Sequence, residues 1–370
     1  MEPRVSIIIP VKNVERTLNI MFEALLAVNY PKDKMELILA DGGSADQTIS
    51  IIKDWQKKYS FIKLTEVRNS RSPGEARNQA LKLVTGEYVL FTDGDCAVEK
   101  DWIHHLLEPF ASDPKIGAVG GEILTLRLEE DNLTESYCEQ VHFLEVAGRA
   151  GVKASGYMPN IKRYLPSKVD GDIHSPFFAT ANVAYPKRII DEMSGEFWHY
   201  HTGEDVDFSI RIQKAGYKLY FRKEAVVKHM HRTDLKSYKK QWWGYGYGHP
   251  LLVLKHAEPV LEVILQFPKD MRFTISSKKP GIIRIGNFHL MHFLGLTSLI
   301  ALPISSAALT FFGLLFLLAT AIYFWPCLKI KPLKYLPTWC KIRYLTNLSF
   351  ILGALKGSRE FKALCIEASW

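Results

Sequence analysis

Leu90 to Trp102 reads LFTDGDCAVEKDW, an apolar run that ends in two aspartates, Asp93 and Asp95, with a single glycine between them. Asp and Gly close strands as turn formers, and that reading asks nothing of the carboxylates. A pair of like charges at a strand end also suits a hard divalent cation held through oxygen. Mg2+ or Mn2+ held in this way usually binds substrate phosphates too. Basic residues fall near other strand ends: Lys12 beside Asn13, Arg68 and Arg71, and Arg77 in EARN. Such cations could meet a diphosphate, although Arg77 taken alone reads equally as a surface helix residue.

Bringing these groups together requires an alternating fold. VSIIIPV, MELILAD, FIKLTEV and EYVLFTD read as strands, with helices over Thr17–Val28, Gln47–Tyr59 and the PGEARNQALKLV stretch started by Pro73. Short uninterrupted apolar runs between helices indicate buried strands. Strand and helix in alternation predict a mostly parallel, right-handed, doubly wound sheet, and such sheets bind ligands at the carboxyl ends of their strands. Further on, GAVGGEILTL and FFATANVAYP read as short strands. GEDVDFSIRIQKAGYKLYF reads as a helix opened by acids, closed by Gly216 and followed by a strand.

The C-terminal third has a different character. No charged residue occurs from Phe288 to Phe324, and Pro303, Ser305 and Ser306 divide that stretch. It is too long for one span of roughly 20 residues and reads as two short transmembrane helices, about 286–302 and 306–325. A single kinked span or a re-entrant hairpin satisfies the same composition. Lys278, Lys279 and Arg284 precede the hairpin, and Lys329, Lys331 and Lys334 follow it. Both flanks, and the N-terminal domain with them, are therefore expected on the cytoplasmic side of a membrane. In the tail, Ile342, Leu345, Leu348, Ile351 and Leu352 share a helical face that suits either a membrane surface or a packed terminal helix. The expected organisation is a domain over 1–250, an interfacial juxtamembrane segment over 251–285, a hairpin over 286–326 and a cytoplasmic amphipathic tail over 327–370.

A hydrophobic share of 47% and a charged share of 23% describe a folded chain. The net charge of +8 favours anionic partners. Five scattered cysteines without metal-type spacing fit a reducing compartment. The apolar run Val5–Val11 is too short for a secretory leader and is expected to begin the fold.

In order and spacing, the motifs resemble the family 2 glycosyltransferases of the GT-A fold, over roughly Val5 to His249. VSIIIPVKNVERTL is similar to that family's first strand and nucleotide loop, and LILADGGSADQT to its base-recognition turn. GEARNQALKLVTGEYVLFTDGD resembles its Ala-Arg-Asn helix and metal-binding DxD strand, FFATANVAYPKRII its acceptor-side strand, and GEDVD its Glu-Asp motif. The resemblance implies an α/β GT-A catalytic domain on a doubly wound, Rossmann-like mixed sheet, followed by the membrane hairpin. It implies that Pro10, Asn13 and Glu15 line the nucleotide cleft, that Asp41 accepts a hydrogen bond from the base, and that Arg71 and Arg77 serve the donor. Asp93 would lie by the ribose and the metal, Asp95 would ligate Mn2+ or Mg2+ directly, and Asp205 would be the general base with Glu204 beside it. His229 in VVKHMHR sits where a further metal or diphosphate contact is found, and a structural role fits it as well.

The implied reaction is inverting transfer from a nucleotide sugar, by family habit a UDP-sugar, to a membrane-associated acceptor such as a lipid-linked saccharide or polyprenyl phosphate. Two departures stand out: Gly42 follows Asp41 where a second aspartate is common, and Gly244 in QWWGYG stands where processive synthases carry arginine. The second counts against a polysaccharide synthase. Trp242 and Trp243 fit an acceptor sugar, a membrane interface or a plain core. A non-catalytic nucleotide- or nucleic-acid-binding protein would need its basic residues in one stripe with aromatics; here they lie at strand ends and beside the apolar hairpin, so no nucleic-acid partner is expected.

Overall fold

The computed structural model describes residues 2–67, 70–160, 176–200, 202–266 and 270–367. Arg68 lies outside them. In chain order the elements are β1 (Val5–Val11), α1 (Leu18–Leu26), β2 (Met35–Asp41), α2 (Thr48–Lys58), β3 (Ile62–Glu66), α3 (Pro73–Leu81), β4 (Tyr88–Phe91), β5 (Cys96–Val98), α4 (Trp102–Ser112), β6 (Ile116–Leu126), α5 (Leu133–Gln140), α6 (Val146–Arg149) and β7 (Gly156–Tyr157). There follow β8 (Val183–Pro186), α7 (Lys187–Glu192), α8 (Glu204–Lys214), β9 (Lys218–Met230), α9 (Leu235–His256), β10 (Val260–Gln266), β11 (Asp270–Ser276), β12 (Gly281–Ile285), α10 (Asn287–Ala301), α11 (Ser306–Phe324), α12 (Leu336–Phe361) and β13 (Leu364–Ile366). The described residues of 2–130, 142–160 and 176–231 form one compact unit, and those of 131–141 and 232–367 a second.

The first unit is built on one sheet in the order β3-β2-β1-β4-β8-β6-β9-β5, with β7 paired to β9. β1 is apolar on both faces because both are covered. Val5, Ile7 and Ile9 pack with Leu18, Met21, Phe22 and Leu25 of α1, and Ile8 packs with Ala76 and Ala80 of α3 on the other side. Each such large side chain contributes about 1.5–3 kcal/mol by burial. The sheet is mixed, as the GT-A resemblance implies, where alternation alone pointed to a mostly parallel one. β3, β2, β1 and β4 run parallel, but β8 lies antiparallel to both β4 and β6, and β5 is antiparallel to β9. Apolar periodicity reveals that a strand is buried and says nothing of its direction, and β4 reaches β5 through the Asp93–Asp95 turn without a crossover helix.

In the second unit α9 and α12 pack backbone to backbone. A Cβ on Gly246 would lie 2.0 Å from the Phe350 carbonyl oxygen, and one on Gly353 would lie 2.1 Å from that of Trp243. Trp242 is buried against Tyr238, Tyr245 and Phe350, a core position, and Trp243 stacks on Tyr247. In α12, Ile342 is buried but Leu352 is exposed; the buried side is rich in small residues such as Ser349, Gly353, Ala354 and Gly357.

A four-stranded sheet, β11-β10-β12-β13, takes three strands from the 251–285 segment expected as an interfacial stretch and its fourth, β13, from the expected tail. Its alternation was masked because Glu262 and Arg272 point inward as an ion pair. The expected hairpin segments form two packed helices, α10 and α11, with Ser305 capping the second. Two spans were expected, yet among the described residues one helical stretch, Ser306–Lys329, is long and apolar enough to cross a membrane. At 15 residues α10 reaches only about 22 Å, short of a hydrocarbon core of about 30 Å.

Gly353→Ala should force α12 off α9 and cost about 1–3 kcal/mol, whereas Gly313→Ala, with open space at its Cβ, should leave the melting temperature almost unchanged. Thermal unfolding of the two variants in detergent checks this. Equal melting temperatures would contradict the close backbone packing.

Candidate active site

The loops after β1 and β2 are tied to each other. Asn13 adopts a left-handed conformation (φ 55°), donates its N–H to Ser44 Oγ at 2.9 Å, and accepts from the Ala45 N–H at 2.8 Å. Glu15 accepts from the Gln47 N–H at 2.9 Å, and the Val14 N–H donates to Thr48 Oγ1 at 2.9 Å. Asp41 is buried, and its carboxylate accepts the N–H groups of Gly43 and Ser44 at 2.9 and 3.1 Å, an Asx-type turn. Pro10 is half-buried in β1 opposite Ala40. Asn13, Glu15 and Asp41 therefore shape one rim through side-chain-to-backbone bonds.

Past β4 the chain turns through Asp93, Gly94 and Asp95. Only glycine fits there, because a Cβ on Gly94 would come within 2.8 Å of the Val11 side chain. Thr17 Oγ1 fixes the turn by donating to the Gly94 carbonyl at 2.9 Å. β5 then pairs with β9, setting Cys96 opposite His229. His229 Nε2 comes to lie 3.5 Å from Asp95 Oδ1 and 3.8 Å from Asp93 Oδ2. Its Nδ1 sits 2.6 Å from the Met230 carbonyl oxygen, which can only accept, so Nδ1 carries a proton.

In the neutral ring Nε2 then turns a lone pair toward two carboxylates. That arrangement is repulsive unless Nε2 is protonated or a cation lies between. The donor atoms of Asp93, Asp95, Cys96 and His229 all fall within 4.8 Å of one another. Burial, followed by the charges of Asp95 and Asp93, pushes the Cys96 thiol well above its ordinary value, as suits a neutral core side chain. Two carboxylates and an imidazole remain, a set that fits Mg2+ or Mn2+ completed by phosphate oxygens. Burial also raises Asp93; Arg77 opposes the rise and Asp95 adds to it. Neighbouring His231 is pushed down to about 4 by burial and then by His229, and it hydrogen-bonds Thr125.

Arg77 stands behind this cluster. It is 3% exposed, donating from one terminal nitrogen to Glu204 Oε1 at 2.7 Å and from the other to Asp93 Oδ1 at 3.3 Å. Sequence reasoning set it at the edge to meet a phosphate; the fold engages it between two acids instead. Arg71 is exposed, its guanidinium 3.9 Å from Glu75. Asn78, on the same helix, has a structural role that its place in the Ala-Arg-Asn motif does not reveal. Its amide donates to the Phe197 carbonyl at 2.7 Å and accepts the Phe197 N–H at 2.8 Å, pinning the segment that leads to α8. Gly74 permits that closeness, since a Cβ would lie 2.4 Å from the Trp198 carbonyl oxygen. A run of buried positions on a nine-residue helix was the available signal.

α8 opens at Gly203 in a left-handed conformation, with Glu204, Asp205 and Asp207 in its first turn, where the helix dipole favours acids. Asp207 pairs with Arg211 at 2.9 Å, and Glu204 pairs with Arg77. Asp205 has a different setting: its carboxylate accepts the Val206 N–H at 2.8 Å. Burial first, then the charge of Glu204, pushes it up to about 7. A carboxyl group that exchanges its proton near neutrality beside a cation-seeking acid pair is equipped for acid–base work.

Comparison with known proteins identifies the family. The family described as Glycosyl transferase family 2 matches residues 6–127, and Glycosyl transferase family group 2 matches residues 88–352. The chain belongs to the family 2 glycosyltransferases and is a glycosyltransferase with a GT-A fold. The Dolichyl N-acetyl-alpha-D-glucosaminyl phosphate 3-beta-D-2,3-diacetamido-2,3-dideoxy-beta-D-glucuronosyltransferase of Methanococcus voltae is 24% identical over 280 residues, covering 74% of this chain and 80% of that one. The Pre-mycofactocin glycosyltransferase of Mycobacterium tuberculosis is 26% identical over 284 residues, covering 76% of this chain and 54% of that protein, so the chain spans about half of it. The mannosyltransferase PcManGT from Pyrobaculum calidifontis, solved in complex with GDP-Man and Mn2+, shares the fold with a TM-score of 0.56 and 18% identity, covering 97% of this chain and 88% of that one.

Arg77→Ala should leave Glu204 and Asp93 as buried acids without their cation and cost about 3–5 kcal/mol. Arg77→Lys should recover only part of that, since one ammonium cannot span both carboxylates. Chemical denaturation of the three proteins checks the ranking; an unchanged midpoint for Arg77→Ala would contradict the bridging role.

Proposed function

We propose that the chain is a metal-dependent, inverting glycosyltransferase acting on a membrane-associated acceptor, with Asp95, Asp93 and His229 holding Mn2+ or Mg2+ and Asp205 as general base. The observation that carries this reading is the convergence of His229 Nε2 and the carboxylates of Asp93 and Asp95, 3.8 and 3.5 Å from it, on the same edge as the Arg77–Glu204 pair next to Asp205. When bound, the ion offsets the charge that develops on the departing diphosphate. Asp205 takes the proton of an incoming sugar hydroxyl as its oxygen bonds to the anomeric carbon and the bond to the diphosphate breaks. One displacement with one base inverts the anomeric configuration. Glu204, paired with Arg77, is a positioning residue that sets the start of α8. Pro10, Asn13, Glu15 and Asp41 form the nucleotide rim, with Arg71 at its exposed end.

The donor class follows the family, with a UDP-sugar first. The name of the Methanococcus voltae relative describes a dolichyl-linked sugar phosphate as acceptor. A lipid-linked acceptor of that kind suits a chain carrying a helix apolar enough to cross a bilayer. Exposed Lys278, Lys279, Lys329, Lys331 and Lys334 flank the apolar helices and favour the cytoplasmic side. Arg284 does not join that flank, because it is buried near Glu367.

A screen of UDP- and GDP-sugars with Mn2+ and membrane lipid extracts tests the reading. Turnover should need the metal and fall at least about 100-fold in Asp95→Ala; full metal-dependent turnover in that variant would exclude the metal role. Activity should rise with pH through about 7 as Asp205 loses its proton, and Asp205→Asn should lose about 10²–10⁴-fold. Because the folded state raises this carboxyl from its ordinary 3.8, its ionised form costs stability, and that cost grows as pH rises from near 4 to 7. Asp205→Asn should therefore melt higher than the parent at pH 8 and alike at pH 4. Normal turnover in that variant would remove Asp205 as the base.

A further inference from the structure

The β11-β10-β12-β13 sheet is inverted relative to a sheet that faces water. Its inner side holds charges: Glu262 pairs with Arg272 at 2.6 Å, and Arg284 lies 3.9 Å from Glu367, with all four side chains 10% exposed or less. Its other side is apolar across every strand, because Phe273, Val263, Ile283 and Ile366 stand in register in one row. On edge strand β11 the row is flanked by Met271 and Ile275, and these three side chains are 44–51% exposed. A sheet with one face in water turns its polar residues to that face, and a contiguous exposed apolar patch marks a surface made for another apolar phase.

We propose that this face lies in the interfacial layer of a bilayer carrying anionic lipids, as a second anchoring element beside the apolar helices. The inference rests on the membrane reading above and deepens it. Chain continuity argues for lipid: β12 ends at Ile285, Gly286 follows, and α10 begins at Asn287, leading to the α11 stretch able to cross a membrane. Charge argues for the same occupant. Exposed Lys278 and Lys279 lie in the turn between β11 and β12, where ammonium groups meet acidic headgroups.

The test uses the full chain in nanodiscs of phosphatidylethanolamine and phosphatidylglycerol, carrying Cys340→Ser because the other four thiols are buried. Nitroxides are placed singly at Phe273→Cys and Ile275→Cys, with Lys57→Cys on α2 as the water-facing reference. Collisions with oxygen should exceed those with a water-soluble nickel chelate several-fold at 273 and 275, and the order should reverse at 57. A ratio at 273 and 275 equal to that at 57 overturns the proposal, as does dipolar broadening between labels, which would show a second copy on this face. Chains that fail to enter nanodiscs defeat the membrane reading and this proposal together; chains that enter with water-like values at 273 and 275 defeat this proposal alone.

Discussion

A guanidinium excluded from water has to be met by carboxylates, and Arg77 is met by two, carried on different segments of its unit. Glu204 lies 127 residues away in sequence and Asp93 lies 16 away. Removing any one member would strand a buried charge, so the three segments that carry them are held together. α3 reinforces the link with Gly74 and Asn78, which fasten the Phe197–Trp198 backbone to the same helix. Through this junction the end of β4 and the start of α8 share one edge of the sheet.

What the junction satisfies also defines what it leaves wanting. Asp93 spends one oxygen on Arg77 and turns the other toward His229, while Asp95 faces the same imidazole. Two carboxylates and an imidazole nitrogen converge there, and Asp205, next to Glu204 in the chain, keeps its proton to near neutrality. Such groups cost stability in the resting protein, the usual exchange at sites built to bind ions or move protons.

Much of the first unit was legible because its strands are buried on both faces. VSIIIPV and MELILAD coincide with β1 and β2 at both ends. The acid pair, His229 and Glu204–Asp205 were found through motif order, and β5–β9 pairing brings the first three together. Pairing direction was not legible, since antiparallel β8 and β5 carry the same apolar signal as parallel neighbours. The second sheet was hidden by Glu262, Arg272 and Arg284, charges that normally announce a surface and here face inward. The partnership of α9 and α12 rests on Gly246, Gly353 and Gly357, and glycine in a sequence looks like a break rather than a contact. Arg77 was read as a lone basic residue because its partners are distant in sequence.

The central claim, that this edge is built around a divalent ion, is tested most directly by titrating the purified full chain with Mn2+ and following the free-ion electron paramagnetic resonance signal, with and without UDP or GDP. The account predicts a single ion per chain, held more tightly when the matching diphosphate is present and lost when Asp93 and Asp95 are both replaced by alanine. No bound ion under any of these conditions, or binding that survives the double replacement, would contradict it.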